Sequence, residues 1–127
     1  ITVMACKKDP ITCTKNMASI AGSYKIIAAK YKASSTAPEQ DFFTTLPACE
    51  KDDIIKLNAN GIADYQDAGT VCTPNSTYSS TWSLSGNTIT MDGTPGTIQL
   101  FDCKKLVVTG TGALVPGDIL TVTYEKQ

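Results

Sequence analysis

The sequence contains neither histidine nor arginine, and its eleven lysines are balanced by twelve acidic residues. Without histidine the chain lacks the usual general base, the usual partner of a Ser or Cys nucleophile and the commonest zinc ligand. The lysines are spread along the chain in blocks of two at most, whereas nucleic-acid-binding surfaces cluster basic residues with aromatics. These absences exclude nucleic acid as a partner, argue against an enzyme and give no reason to expect a cofactor.

Long apolar runs are also absent, since none approaches the roughly 20 residues that span a bilayer. The five cysteines include no Cys-x-x-Cys pair, which argues against a zinc ribbon, a thioredoxin-like redox site or any other metal site of that type. Disulfides in an oxidising compartment are the better use for so many cysteines in a chain of 127 residues.

The odd number of cysteines has an explanation at the N-terminus. The string Val-Met-Ala-Cys at residues 3–6 resembles a bacterial lipobox, and residues 7–10 resemble the polar tether that follows a lipidated cysteine. On this interpretation residues 1–13 are a signal-peptide remnant and tether, and a lipid on Cys6 anchors an exported protein in the bacterial cell envelope. Four cysteines then remain to pair. The alternative is that Cys6 bonds Cys13 or stays free.

The rest of the chain shows the period of β-strands. Met17 and Ile20 predict one or two turns of helix, and from Gly22 onward apolar residues recur with a period of two in eight segments separated by turn signals. Residues 14–127 are therefore predicted to form one all-β domain, an eight-stranded antiparallel up-and-down barrel with a short N-terminal helix, because closure removes exposed edges. The positions predicted to face inward are Tyr24, Ala28, Leu57, Ala63, Trp82, Leu84, Met91, Leu100, Val108 and Val122.

Three segments resemble, at their spacing, the bacterial lipocalin-like domain of envelope lipoproteins. Gly-Ser-Tyr-Lys-Ile at residues 22–26 is similar to the first strand of that family. Cys-Glu-Lys-Asp-Asp at 49–53 with Leu-Asn-Ala-Asn-Gly at 57–61 is similar to its second strand and turn, and Thr-Trp-Ser-Leu-Ser-Gly-Asn at 81–87 to its Trp-containing hairpin. Tyr24 stands where the family usually has tryptophan, and its hydroxyl will need a partner at the barrel floor. The resemblance implies a lipocalin-like fold and an envelope location, since most members have no established activity.

The resemblance also implies a disulfide between Cys49 and Cys72. With that pair assigned, Cys13 and Cys103 are expected to bond each other, although four cysteines allow three connectivities.

Aromatic residues are the first candidates for a site. Tyr65 and Tyr124 share the inward positions with Tyr24 and Trp82, and such a set could line a pocket for an apolar or sugar-like ligand. The alternative, which we favour from the sequence, is that they simply fill a short barrel. The candidates in the long loop 33–47 are Phe42 and Phe43, as a lid over one end, a patch for a partner protein, or buried anchors.

Acidic residues crowd at Glu50, Asp52 and Asp53. A calcium site or a catalytic carboxylate pair is conceivable there, but neither calcium-loop spacing nor a second carboxylate cluster supports it. We interpret the cluster as the solvated start of a strand.

Two functions follow. The first is a non-enzymatic structural or interaction module of the envelope that works through its surface, because large inward residues would leave little of the roughly 300 Å³ that a useful pocket requires. The second is binding of a small apolar or sugar-like ligand in the barrel mouth. Any residual cavity is expected beside loops 33–47 and 68–77, with Phe42 and Phe43 at its rim, and a cavity open at one end would favour the second function.

Overall fold

The computed structural model describes residues 13–75 and 77–127. They form one antiparallel sheet of nine strands with two single-turn helices. The helices are α1 (Met17–Ile20) and α2 (Ala48–Lys51), and a 3₁₀ turn covers Phe43–Thr45. The strands are β1 (Gly22–Lys32), β2 (Gln40–Asp41), β3 (Ile54–Leu57), β4 (Ile62–Gln66), β5 (Tyr78–Ser85), β6 (Thr88–Met91), β7 (Thr94–Phe101), β8 (Lys105–Thr111) and β9 (Ile119–Lys126).

The sheet closes on itself through β1. The first three residues of β1 pair with β3, and the strand pairs with β9 from Tyr24 to Lys32. β1 and β3 to β9 therefore form a ring of eight strands in sequential order, which confirms the predicted number and order. β2, only two residues long, lies beside the second half of β1 and was not predicted.

The ring has two ends that the rest of the description uses. The lower end carries α1, the start of β1 and the turns β3–β4, β5–β6 and β7–β8. The upper end carries the long β1–β3 connection, the β4–β5 loop, the β6–β7 turn and the β8–β9 loop.

Helix α1 closes the lower end. Asn16 and Ser19 cap the helix reciprocally, each side chain bonding the other residue's backbone N–H. Ile20 is buried, and its carbonyl accepts a hydrogen bond of 2.5 Å from the Tyr24 hydroxyl, the partner that a tyrosine at this position needs. Lys126 donates to the Ser19 carbonyl at 2.7 Å and lies over the Tyr24 ring. The predicted short helix therefore covers the lower opening of the ring.

Two β-bulges correct the predicted facing of two residues. Register shifts between Ile26 and Ala28, and between Ile98 and Leu100, each insert one extra residue into a strand. One extra residue reverses the alternation beyond it, so Ala29 is buried in place of Ala28, and Leu100 is 48% exposed. The period-two pattern was wrong at these two positions because it has no means of registering a bulge.

Both expected disulfides form. Cys13–Cys103 ties the segment before α1 to the β7–β8 turn at the lower end, and Cys49–Cys72 joins the β1–β3 connection to the β4–β5 loop at the upper end. Their presence is consistent with an exported domain. No helix in the described ranges is long and apolar enough to cross a membrane. Cys6 lies outside the described residues.

Candidate ligand-binding cavity

The upper half of the ring encloses a cavity of about 470 Å³, hereafter the main cavity. Ile89 and Val108, both buried, form its floor, and Met91 and Val122 stand on its walls. Residues of the β6–β7 turn and the β8–β9 loop line its upper part, where it opens. The upper half of the interior is therefore open, contrary to the expectation of a filled barrel.

Small residues explain why the upper half is hollow. Gly96, Gly110, Gly112 and Ala113 all line the main cavity. No heavy atom lies within 4 Å of the position that a Cβ on Gly110 would occupy, so the missing side chain leaves open space. The expectation of a filled interior rested on the large inward residues and omitted these glycines.

A pair of stacked tyrosines stands at one side of the main cavity. Tyr65 and Tyr78 are opposite each other on β4 and β5, with ring centroids 4.5 Å apart and planes inclined by 9°. Tyr124 of β9 also lines the cavity. The hydroxyls of Tyr65 and Tyr124 make no hydrogen bond to any other described residue. No residue of 13–75 and 77–127 thus competes with a ligand for either hydroxyl.

Burial keeps these hydroxyls protonated. It raises the pKa of Tyr124 to about 12. Burial also raises the pKa of Tyr65, and the nearby charges of Tyr78, Asp92 and Tyr124 would raise it further. At neutral pH both groups can donate as well as accept a hydrogen bond.

A carboxylate is fixed at the rim of the main cavity. Asp92 in the β6–β7 turn accepts hydrogen bonds from the Tyr78 hydroxyl at 3.0 Å and from the Ser80 hydroxyl at 2.6 Å. Asp92 adopts a positive φ of 53°, which aspartate tolerates in tight turns. Its charge is thus held beside the exposed edge of Tyr78, which is itself 48% exposed.

A second opening, the side cavity, holds about 260 Å³ beneath the β1–β3 connection. It shares Ile55, Tyr65 and Tyr78 with the main cavity, so the stacked tyrosines lie between the two spaces. Glu50 and Asp53 line it. Its position beside the β1–β3 connection is where the sequence placed a residual cavity, whereas the main cavity lies toward β7 to β9.

The acidic cluster around Asp53 is more than a solvated strand start. Burial, followed by the charges of Asp67, Asp52 and Glu50 and a hydrogen bond with Asp67, raises the pKa of Asp53 to about 6. Asp67 is buried and also accepts the backbone N–H of Cys72 beside the upper disulfide. No group of three or more acidic or cysteine side chains in residues 13–75 and 77–127 is arranged to hold a metal ion.

The β8–β9 loop at the rim is held by one carboxylate. Asp118 is fully buried and accepts the backbone N–H groups of Ala113, Leu114 and Val115 at 2.8–2.9 Å and the Tyr31 hydroxyl at 2.9 Å. These hydrogen bonds, Val115 first, hold the pKa of Asp118 well below its usual range. The loop consequently presents Leu114, 63% exposed, in a fixed position.

The structure divides the predicted aromatic set. Tyr65 and Tyr124 line the main cavity, whereas Tyr24 and Trp82 are buried in the core and line neither cavity. Trp82 donates its indole N–H to the Asn58 carbonyl at 2.8 Å, so its polar group is satisfied inside the protein.

The two loop phenylalanines also lie away from the cavities. Phe42 packs its ring 6.0 Å from that of Tyr31, and the ammonium of Lys51 lies 5.4 Å from the centre of the Phe43 ring. Neither phenylalanine lines the main or the side cavity. Leu46, from the same loop, lines the side cavity in their place.

Two residues of the site, Tyr78 and Asp92, were not predicted from the sequence. Tyr78 lies on the same face of β5 as Trp82, a relation that alternation along the strand can show. Asp92 stands in the Asp-Gly pair of the β6–β7 turn, which by itself signals only a turn. The hydrogen bond between these two residues joins positions 14 apart, which local patterns do not show.

Comparison with known families identifies a related domain. The model of a lipocalin-like domain matches residues 20–111, most of the described ring. Among curated proteins, none matches the chain.

Proposed function

The chain belongs to the lipocalin-like domain family, and from that premise we propose that it binds a small, largely apolar molecule in the main cavity. The observation that supports this most is the cavity itself. Its volume of about 470 Å³ falls in the range of small-molecule sites, roughly 300–1,000 Å³. An apolar floor with a few polar groups near the mouth is also typical of such sites.

The distribution of polar groups favours an apolar over a sugar-like ligand. Ile89, Met91, Val108 and Val122 offer a sugar no hydrogen bonds in the deeper part of the cavity, and burying unpaired hydroxyls is costly. The free tyrosine hydroxyls can orient one polar group of an otherwise apolar molecule.

We propose binding without catalysis. Lipocalin-like folds are typically non-enzymatic, and this sequence has no histidine to act as a general base. The carboxylate at the rim, Asp92, is engaged by two hydroxyl donors.

The test uses a neutral apolar dye, N-phenyl-1-naphthylamine, titrated against the purified domain. We expect a saturable rise in dye fluorescence. Gly110→Phe should abolish it, because the new side chain points into the main cavity, where no atom lies within 4 Å of its Cβ.

The matched control is Val107→Phe, which enlarges a side chain on the outer face of the same strand, β8. It should bind the dye as the original chain does, while far-UV circular dichroism shows both variants folded. Dye binding that survives Gly110→Phe, or the absence of saturable binding to the original chain, would overturn the proposal.

A second candidate function is a surface interaction module, with a protein of the envelope as partner. It is supported by Leu114 and Val115, which are 63% and 45% exposed although Asp118 fixes the backbone that carries them. Site-specific photo-crosslinking from position 114 in intact cells tests it. A discrete crosslinked band that Val115→Ser removes supports the idea, and uniform background labelling contradicts it.

For localisation we propose export followed by lipid anchoring to the envelope through Cys6. The two disulfides support export, and the lipobox-like residues 3–6 support acylation. In detergent phase partitioning of cells that express the gene with its own leader, the original protein should enter the detergent phase and Cys6→Ser should stay in the aqueous phase. Equal partitioning of the two would contradict anchoring at Cys6.

A further inference from the structure

The charges that line the two cavities are all negative. Asp92 lines the rim of the main cavity, Glu50 and Asp53 line the side cavity, and no lysine of the described ranges lines either. Resting on the proposed function, we propose that the ligand is a cationic amphiphile, an alkyl or aryl ammonium compound. Its apolar part enters the main cavity and its charged nitrogen stays at the mouth.

The stacked tyrosines offer the first part of a cation site. Aromatic faces carry negative potential and attract an ammonium group within about 6 Å of the ring centre. In the pair formed by Tyr65 and Tyr78 each ring covers one face of the other, and both residues line both cavities. Because Tyr78 donates its hydroxyl hydrogen to Asp92, electron density shifts toward its ring and strengthens that potential.

Asp92 supplies a fixed counter-charge at the same place. Two hydroxyl donors hold its carboxylate in position, so it needs no reorganisation when a cation arrives. The turn that carries Asp92 lies at the open end, where an ammonium group keeps part of its hydration shell. A charged group seated there avoids the cost of complete burial.

The acidic cluster of the side cavity adds to the same field. Asp52 and Asp67 lie close enough to Asp53, together with Glu50, to disfavour its ionisation. A cation at the tyrosine pair therefore meets attractive charges from both sides, whereas a fatty acid of equal length would place its carboxylate among them. The cavity lining thus selects by the sign of the ligand charge.

The experiment compares three ligands with the same ten-carbon chain, below their micellar concentrations, by isothermal titration at neutral pH and low ionic strength. They are decyltrimethylammonium, decanol and decanoate. We expect the ammonium compound to bind about tenfold more tightly than the alcohol, and decanoate to bind most weakly. Raising the salt concentration should reduce the difference in affinity between the ammonium compound and the alcohol, because salt screens charges at the surface.

Substitutions distinguish the effect of the site's charge on binding from the effect of the cavity's shape. Asp92→Asn keeps the side-chain size and tolerates the same backbone conformation, so it should lower the affinity for the ammonium compound by more than the affinity for the alcohol. Glu125→Gln removes one negative charge at the lower end, and it should change neither the affinity for the ammonium compound nor the affinity for the alcohol. Gly110→Phe should abolish binding of all three.

The outcomes distinguish this inference from the function on which it rests. If decanol and the ammonium compound bind equally well, or decanoate binds most tightly, the cationic ligand is wrong and the cavity function stands. If none of the three shows saturable binding, both fail.

Discussion

At the lower end of the ring, Tyr24 and Trp82 fill the interior and each donates its polar hydrogen to a backbone carbonyl. At the upper end, Tyr65 and Tyr124 face a cavity, and their hydroxyls bond no other described residue. The same residue types thus serve as core in one half and as candidate ligand contacts in the other. The comparison shows that an inward aromatic is informative only when its polar group and its neighbours are known.

The two halves also differ in where they hold charge. The lower end places a lysine, Lys126, over the Tyr24 and Phe101 rings with its ammonium on a carbonyl. The upper end gathers carboxylates, and one of them, Asp53, keeps its proton to about pH 6. The lower end is arranged for stability, and the upper end tolerates unfavourable charge.

Removing a disulfide should cause the largest loss of stability at either end of the ring. The Cys13–Cys103 bond closes a loop with a sequence separation of 90, against 23 for Cys49–Cys72. On the chain-entropy model the double Cys→Ser variants lose about 4.5 and about 3.5 kcal/mol respectively. Urea unfolding measures both losses. A larger loss for the upper bond would contradict the chain-entropy account of the two disulfides.

Truncating one aromatic in each half should include the next largest loss of stability. Trp82→Ala removes a buried side chain and leaves the Asn58 carbonyl unpaired, which should cost about 4 kcal/mol. Tyr78→Ala, at the half-exposed rim, should cost less than about 1 kcal/mol. Unfolding of both variants is followed by circular dichroism. Equal losses of stability would mean that the cavity rim around Tyr78 is packed as tightly as the core around Trp82.

Glycines at the boundary of the two halves test the packing directly. A Cβ on Gly96 would lie 2.5 Å from Cγ1 of Val108, so Gly96→Ala should cost about 1.5 kcal/mol by overpacking. Gly110→Ala, which meets open space, should instead stabilise the strand by about 0.5 kcal/mol. In a double-mutant cycle Val108→Ala should relieve much of the Gly96→Ala loss, and simple additivity would refute the clash.

The raised pKa of Asp53 gives a smaller, pH-dependent effect. The folded protein holds a proton that the unfolded chain releases near pH 4, so stability should fall as pH rises from about 4 through the folded pKa of about 6. Asp53→Asn should therefore raise stability at neutral pH by about 1 kcal/mol, after allowance for solvent screening. The gain should vanish below about pH 4, and a gain independent of pH would exclude titration of Asp53 as its cause.

Asp118 should show the opposite sign, and the pH dependence of its contribution to stability should lie entirely in the acid range. Its folded pKa is lowered, so its contribution is complete above about pH 4 and is lost as pH falls toward the lowered value. Hydrogen-exchange protection of the Ala113, Leu114 and Val115 amides should decrease over that range, because all three donate to this carboxylate. Protection that does not change with pH would show that the loop holds its shape without the charge.

Local pattern was sufficient for the eight strands of the ring, their order and the N-terminal helix. Each segment of period two became one strand, the Asn-Gly signal at residues 58–61 became the β3–β4 turn, and resemblance to a family paired the cysteines correctly. These features depend on neighbouring residues or on a motif, so a sequence contains them. Local pattern does not reveal the bulges near Ile27 and Gln99, because a bulge is a mismatch in length between two paired strands, which the residues of one strand alone do not show.

Whether the interior is full was decided only by the tertiary structure. The inward residues of the lower half are large, and those of β7 and β8 at the upper end include Gly96 and Gly110, but their volumes add up only where the strands bring them to one level of the ring. The negative charge on both sides of the tyrosine pair was likewise set by residues of separate connections, Asp53 in the side cavity and Asp92 at the rim of the main cavity. Sequence determined which residues face inward, apart from the bulges, and closure of the sheet determined what they enclose.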